Sequence, residues 1–247
     1  MRIAAVRPLV DVVAGTGILT VHIDLERAKS GRDRALHVEV TIEGQAVRAE
    51  VPDGEDAVSV IVAVPDVRRW HPRDAGDAHL YEVAVTVSAG AEIIDEHRTR
   101  VGFRTVAVDR TPDAEGTPFV LSVNGRRRFV KGVNWIPESV FPGTIEPGRV
   151  RERLEQAVAA NVDLIRVWGG GVYESEEFYD ACDELGLLVW QDFLFACAAY
   201  PEEEPIRTEV IAEARENVVR LSAHPSLALW NGNNENLWMR LDKDWAT

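Results

Sequence analysis

The sequence predicts two structural parts, an antiparallel β-sandwich followed by a parallel β/α unit. Up to about residue 109, short stretches alternate apolar and polar residues and are separated by turn sequences. From about residue 130, nearly continuous apolar stretches alternate with amphipathic helical patterns, which is typical of a parallel sheet covered by helices. The segment "DRTPDAEGTP" (109–118) between them is polar and carries Pro and Gly, so it is the predicted boundary.

The first part contains five predicted strands, each with a period of two. They are 19–26, 35–44, 57–64, 80–88 and 97–109. Turn-forming sequences such as "KSGRD" (29–33) and "PDGED" (52–56) separate them. Short alternating strands with regular turns indicate an antiparallel sandwich over residues 1–109.

The second part alternates four predicted strands with three predicted helices. The strands are 132–137, 163–168, 187–193 and 227–235. Pro147 opens the first helix, Ser175 and Gly186 bound the second, and Ile206 to Leu221 mark the third. Each strand ends in polar or aromatic residues, which predicts a (β/α)8 TIM barrel with its site at the strand C-termini. An open doubly wound sheet is the alternative, although no Gly-rich phosphate loop follows the first strand.

Four strands are half of such a barrel, which takes roughly 250 residues in its entirety. Residues 110–247 are therefore expected to form its N-terminal half, with the chain ending after strand 4. An incomplete barrel has open edge strands, and we expect these to favour self-association.

Composition excludes several classes of partner. The net charge of −14 argues against nucleic acid and against an anionic membrane surface. No apolar run reaches the length of about 18 residues that a membrane span needs, and the N-terminus lacks a convincing signal peptide, so a cytoplasmic location is expected. Cys182 and Cys197 make no disulfide framework or zinc motif, and no spacing of Asp192, His224 and Glu235 supports a metal site. No cofactor or metal is expected.

Several segments of the sequence resemble glycoside hydrolase family 2, and within it most of all the β-mannosidases. These segments are 68–83, 101–108, 119–141, 161–201 and 224–236, and they include "RVWGGG", "WQDF" and "WNGNNE" in that order. The resemblance implies an immunoglobulin-like sandwich followed by the start of the family's catalytic barrel. The family's amino-terminal sugar-binding domain and its second catalytic carboxylate have no counterpart in this sequence.

The resemblance also implies part of a retaining exo-glycosidase that hydrolyses terminal β-D-mannosides. Glu235, directly after Asn234, matches the general acid/base, and Asn234 matches the residue that binds the sugar 2-hydroxyl. The acid role favours a carboxyl that is surrounded by apolar walls, for which Trp230 and Trp238 are candidates. The nucleophile is expected in a part of the enzyme outside this sequence, so the chain alone is expected to be inactive.

Four further positions match the substrate pocket of the family. Arg166 is expected to orient the nucleophile and Trp168 to contact the sugar, while Trp135 and Asp192 line the same pocket. All of these residues should converge at one end of the parallel sheet. Two alternatives remain: Arg166 forms a structural ion pair with Asp163 or Asp192, and the two Trp side chains belong to the core.

Two other functions remain open at this point. A β-galactosidase or β-glucuronidase of the same family would keep the reaction and change the sugar. A non-catalytic carbohydrate-binding relic would keep the fold without the chemistry. In each case the expected partner is a carbohydrate.

Overall fold

The computed structural model describes residues 1–27 and 35–242. The chain forms two compact units, which we call the sandwich unit (1–70, 79–105 and 219–225) and the β/α unit (71–78, 106–218 and 226–247). The predicted boundary at residue 109 stays a prediction, and the turn predicted at 29–33 lies outside the described residues.

The sandwich unit is built from two antiparallel sheets, with strand orders β1-β2-β5 and β4-β3-β6-β7. Its strands are β1 (Arg2–Val13), β2 (Thr16–Glu26), β3 (Leu36–Ile42), β4 (Gln45–Val51), β5 (Ala57–Val64), β6 (Tyr81–Ala89) and β7 (Glu92–Val101). Side chains from both sheets form one apolar core. The alternating sequence explains this arrangement, because every second residue of a strand points to the same face. In β3, for example, Leu36, Val38, Val40 and Ile42 are all buried.

The strand predicted over 97–109 is wrong. β7 ends at Val101, and the next strand, β8 (Val106–Asp109), belongs to a different sheet. Between them Phe103 is fully buried, with its ring against Tyr81 at a centroid distance of 5.4 Å, and its carbonyl accepts a hydrogen bond from Trp70 N. Packing of this aromatic residue interrupts the alternation.

The β/α unit contains a four-stranded parallel sheet with the order β11-β12-β13-β14. Its strands are β11 (Gly132–Trp135), β12 (Leu164–Val167), β13 (Leu188–Asp192) and β14 (Leu227–Asn231). A separate antiparallel sheet joins β8 to β9 (Val120–Val123) and β10 (Arg126–Arg127). Antiparallel sheets followed by a parallel β/α segment confirm the predicted fold class. Self-association through the edge strands β11 and β14 stays a prediction.

The parallel strands are connected in the predicted order by α1 (Arg149–Ala159), α2 (Glu176–Leu185) and α3 (Ile206–Arg220), and a further helix, α4 (Asn236–Asp242), follows β14. The bounds predicted for α2 are confirmed, with Ser175 at its N-cap and Gly186 at its C-cap. β14 ends at Asn231, so the fourth strand is four residues shorter than predicted. Among the described residues, no helix is both long enough and apolar enough to cross a membrane.

Gly186 provides a test of this helix end. Its φ of 67° lies in the left-handed region, and an added Cβ would lie 2.6 Å from Arg73 N. We expect Gly186→Ala to lower the free energy of unfolding by about 2 kcal/mol or more, because backbone strain and a clash with backbone act together. Denaturant titration followed by circular dichroism measures the change.

Gly125→Ala is the matched control. Gly125 has a similar φ of 74° but no atom within 4 Å of an added Cβ. It should therefore show only the cost of backbone strain, about 1 kcal/mol. Equal losses of free energy in the two variants would show that the expected clash between the added Cβ and Arg73 N costs nothing.

Candidate active site

The C-terminal ends of the parallel strands bring several polar side chains to one edge of the sheet. Arg166 lies on β12, and Asp192 and Asn231 are the last residues of β13 and β14. The parallel register pairs Asp192 with Asn231, so their side chains start from neighbouring positions. Asn234 and Glu235 follow in the loop that leads from β14 to α4.

Asp192 is the centre of this cluster. Its side chain is 0% exposed and receives two hydrogen bonds from Arg166, at 3.2 Å from Nε and 2.7 Å from Nη2. Asn231 Nδ2 donates to Oδ1 at 2.9 Å, and Gly169 N donates to Oδ2 at 3.2 Å. A buried carboxylate is tolerated when a cation and several donors surround it, as they do here.

The partner of Arg166 is therefore Asp192 rather than Asp163. Asp163 instead pairs with Lys131 at 2.6 Å and with Arg73 at 3.2 Å. Of the two ion pairs that the sequence left open, the structure contains Arg166–Asp192, at the C-terminal ends of the strands. The role of Arg166 toward a nucleophile stays a prediction.

Asn234 connects this ion pair to the loop after β13. Its Oδ1 accepts a hydrogen bond from Arg166 Nη2 at 2.9 Å, and its Nδ2 donates to the sulfur of Cys197 at 3.3 Å. The backbone is held as well, since Asn234 N donates to Phe195 O at 2.8 Å and Cys197 N donates to Asn234 O at 3.1 Å. The amide orientation is thus fixed from both sides.

Glu235 is exposed, so the expectation that apolar walls bury it is wrong in this structure. Its φ of 65° turns the chain out of the strand direction just before α4 begins. Trp230, one of the expected walls, stacks on Phe193 at a centroid distance of 4.9 Å, and Trp238 is 47% exposed. The Cys197 thiol contacts the carboxylate, with 3.3 Å between Sγ and Oε2.

The two remaining predicted residues lie at the ends of β11 and β12. Trp168 N donates to Trp135 O at 3.2 Å, which places the two residues side by side. The indole of Trp168 lies against Gly170, where an added Cβ would overlap the ring. Trp135 packs on Phe178 at a centroid distance of 5.1 Å, so one face of its ring belongs to the core.

Glu174 is a functional candidate that sequence reasoning missed. It is buried and accepts a hydrogen bond from Trp135 Nε1 at 2.9 Å. Burial raises the pKa of this carboxyl, and the hydrogen bond from the indole partly offsets the effect. Asn231 and Cys197 were missed as well. Their positions could have indicated them, because all three residues lie within the segments that resemble the family.

The structure therefore connects three of the predicted residues directly and a fourth through Cys197. Arg166, Asp192 and Asn234 share hydrogen bonds, and Glu235 joins them through the thiol. Trp135 and Trp168 lie at the ends of neighbouring strands in the same sheet. Their roles toward a substrate stay predictions.

Comparison with known proteins identifies the family. Residues 1–104 match Glycosyl hydrolases family 2. The chain is 40% identical to the β-mannosidase of Capra hircus over 192 residues, and 39% identical to β-mannosidase B of Aspergillus fumigatus over 220 residues. These alignments cover 76% and 88% of this chain.

The chain belongs to glycoside hydrolase family 2. The crystal structure of the β-D-mannosidase from Dictyoglomus thermophilum matches 96% of this family 2 chain with a TM-score of 0.89 and 34% identity. The exo-chitosanase of Amycolatopsis orientalis matches 92% of the chain with a TM-score of 0.78, but at 22% identity it shows only the fold. The chain spans 22% to 26% of the length of the two curated relatives named above and 30% of the Dictyoglomus structure.

The Arg166–Asp192 pair gives a stability prediction for this family 2 chain. Arg166→Met keeps much of the aliphatic side chain but removes the charge, leaving Asp192 buried without its cation. We expect the free energy of unfolding to fall by about 3–5 kcal/mol. Denaturant titration followed by circular dichroism measures this loss.

Arg149→Met is the control for the same chemical change on the surface. Arg149 pairs with Glu138 and Glu152 near the start of α1, where all three side chains are partly exposed. Such pairs contribute about 0–1 kcal/mol. A loss for Arg166→Met no larger than this control would contradict the assigned importance of the buried pair.

Glu174 gives a prediction about pH. Its pKa is raised in the folded state, so the folded chain binds more protons than the unfolded chain above the ordinary glutamate pKa. Stability should therefore fall as pH rises from about 4.5 through the raised pKa. Glu174→Gln keeps an acceptor for Trp135 Nε1 and should remove this part of the pH dependence. Unfolding curves between pH 4 and pH 8 test this, and identical pH profiles for the two proteins would contradict it.

Proposed function

We propose that this chain forms the sandwich and the first half of the catalytic barrel of a retaining exo-β-mannosidase, with Glu235 as its general acid/base. The observation that carries the proposal is the strand-end network that links Asp192, Arg166 and Asn234 to Glu235. Active sites of (β/α)8 barrels lie at this edge of the sheet. The identity of about 40% to β-mannosidases supports the choice of reaction and sugar.

In a retaining mechanism two carboxyl groups lie about 5–5.5 Å apart across the scissile bond. Glu235 donates its proton to the glycosidic oxygen while the second carboxylate attacks the anomeric carbon. In the second step Glu235 takes a proton from the water that releases the sugar. The proposal places the second carboxylate in a part of the enzyme outside this chain.

Asn234 is positioned to bind the sugar beside Glu235. The hydrogen bonds described above use one of its two N–H groups and one lone pair of Oδ1. An amide has one further N–H and one further lone pair, which suit a sugar hydroxyl. Because Arg166 and Cys197 fix the amide plane, the remaining N–H and lone pair of Asn234 point in a defined direction.

Two other functions are weaker candidates. The solved structures of β-glucuronidases that match this chain at 20% identity share its fold and carry no information on its sugar. A non-catalytic carbohydrate-binding protein would not require a carboxylate linked to the strand-end network. β-Mannosides are therefore the substrates to test first, followed by β-galactosides and β-glucuronides.

Glu235→Gln tests the acid/base role in a full-length protein that contains this chain. Substrates with poor leaving groups, such as alkyl β-mannosides, should lose about 10²–10⁴-fold in kcat/KM, because they depend on protonation. Activated dinitrophenyl β-mannoside should lose much less in the glycosylation step. The measurement is kcat/KM on both substrates under conditions where glycosylation limits the rate.

Glu202→Gln makes the same chemical change in the exposed acidic segment after β13 and should leave both rates unchanged. Equal losses on the two substrates in Glu235→Gln would count against the acid role. Turnover of β-galactosides or β-glucuronides in preference to β-mannosides would correct the proposed sugar.

A further inference from the structure

We infer that Cys197 is a positioning residue that fixes the carboxylate of Glu235 relative to the strand-end network. The inference rests on the proposed function in one respect, namely that Glu235 is the general acid/base. The sequence indicates no function for Cys197, since a single thiol in a loop matches no redox or metal motif.

The thiol makes two hydrogen bonds with opposite roles. It accepts from Asn234 Nδ2 at 3.3 Å and donates to Glu235 Oε2 at 3.3 Å. A thiol has both functions, because its S–H is a weak donor and its sulfur a weak acceptor. The result is a continuous path from buried Asp192 to exposed Glu235, formed by Arg166, Asn234 and Cys197 in that order.

The backbone around the thiol is held in place independently of the side chains. The segments on either side pair as an isolated parallel bridge between Ala196 and Asn234. Cys197 and Glu235 have φ values of 52° and 65°, a left-handed conformation that is uncommon for residues other than Gly. Such conformations cost free energy and persist where surrounding contacts enforce them. The two left-handed residues, Cys197 and Glu235, face each other across the hydrogen bond from thiol to carboxylate.

The protonated thiol is the form that this role requires. The hydrogen bond to Glu235 is the largest cause that raises the pKa of Cys197, and the hydrogen bond from Asn234 acts in the opposite direction. The thiol therefore keeps its proton at neutral pH and remains a donor. Glu235 is exposed, and a glutamate side chain samples several rotamers in water. A donor at a fixed position reduces this freedom and holds the carboxyl where a glycosidic oxygen can meet it.

The contact can be tested on the 247-residue chain without any assay of activity. The rate of alkylation by iodoacetamide, measured against pH and read by mass spectrometry at each cysteine, gives the titration of Cys197. Cys182 is fully buried and serves as an internal control for the folded state. We expect Glu235→Gln to shift the Cys197 titration to lower pH, since the charge that raises the pKa is gone, and Glu202→Gln to leave it unchanged. A titration that is the same in Glu235→Gln as in the parent would overturn the contact.

The positioning role requires kinetics in a full-length protein that contains this chain. Cys197→Ala should lower kcat/KM for alkyl β-mannosides by about 3- to 10-fold, the scale of one weak hydrogen bond. Dinitrophenyl β-mannoside, which needs little protonation, should be nearly unaffected. Cys197→Ser restores a donor and an acceptor and should recover part of the loss.

The outcomes separate this inference from the proposed function. Equal losses on both substrates in Cys197→Ala, or no rescue by Cys197→Ser, would show a merely structural residue and overturn the positioning role. A Glu235→Gln variant with no dependence on the leaving group would overturn the acid/base assignment itself, and the positioning role with it. In that case the alkylation experiment would still decide whether the thiol and the carboxylate are in contact.

Discussion

The parallel sheet of this chain depends on how one buried carboxylate, Asp192, is compensated. Removing an ionised carboxylate from water costs several kcal/mol unless a cation and further donors replace the lost hydration. Here the donors come from Arg166 on β12, from Asn231 on β14, and from the backbone of Gly169 in the loop after β12. Asp192 is therefore satisfied only when three neighbouring strands are in register, so the same contacts that fix the register assemble the candidate site.

The network runs from buried to exposed side chains. Asp192 is 0% exposed and Asn234 is 8% exposed, the Arg166 side chain between them is 25% exposed, and Glu235 is exposed. Hydrogen bonds through Arg166 and Cys197 join these residues, so the network connects the buried end of the sheet to an exposed side chain. A site for sugars needs this combination, because polar hydroxyls are recognised by groups that are both accessible and fixed in direction.

The sequence predicted the features that are set locally, and it failed where tertiary contacts decide. Ser175 and Gly186 bound α2 as expected. Gly186 takes the left-handed C-cap conformation and its N–H donates to Cys182 O, whereas the Ser175 side chain makes no capping hydrogen bond. The break after Val101 was missed because it depends on burial of Phe103 against Tyr81, which are distant in the sequence. The partner of Arg166 was ambiguous, because Asp163 and Asp192 both lie at strand ends. The left-handed backbone of Glu235 was missed as well, because the sequence has no Gly at that position to indicate it.

The charges of the buried residues at the strand ends are compensated within the network itself. Arg166 and Asp192 form an ion pair at 2.7 Å, and burial raises the pKa of Glu174. The groups next to Glu235 in the network, Asn234 and the protonated Cys197, carry no net charge. A retaining glycosidase requires its acid/base to lose and regain one proton in each cycle. Under the proposed function, this cycle leaves the Arg166–Asp192 ion pair intact, because the exposed carboxylate of Glu235 is not a partner in that pair.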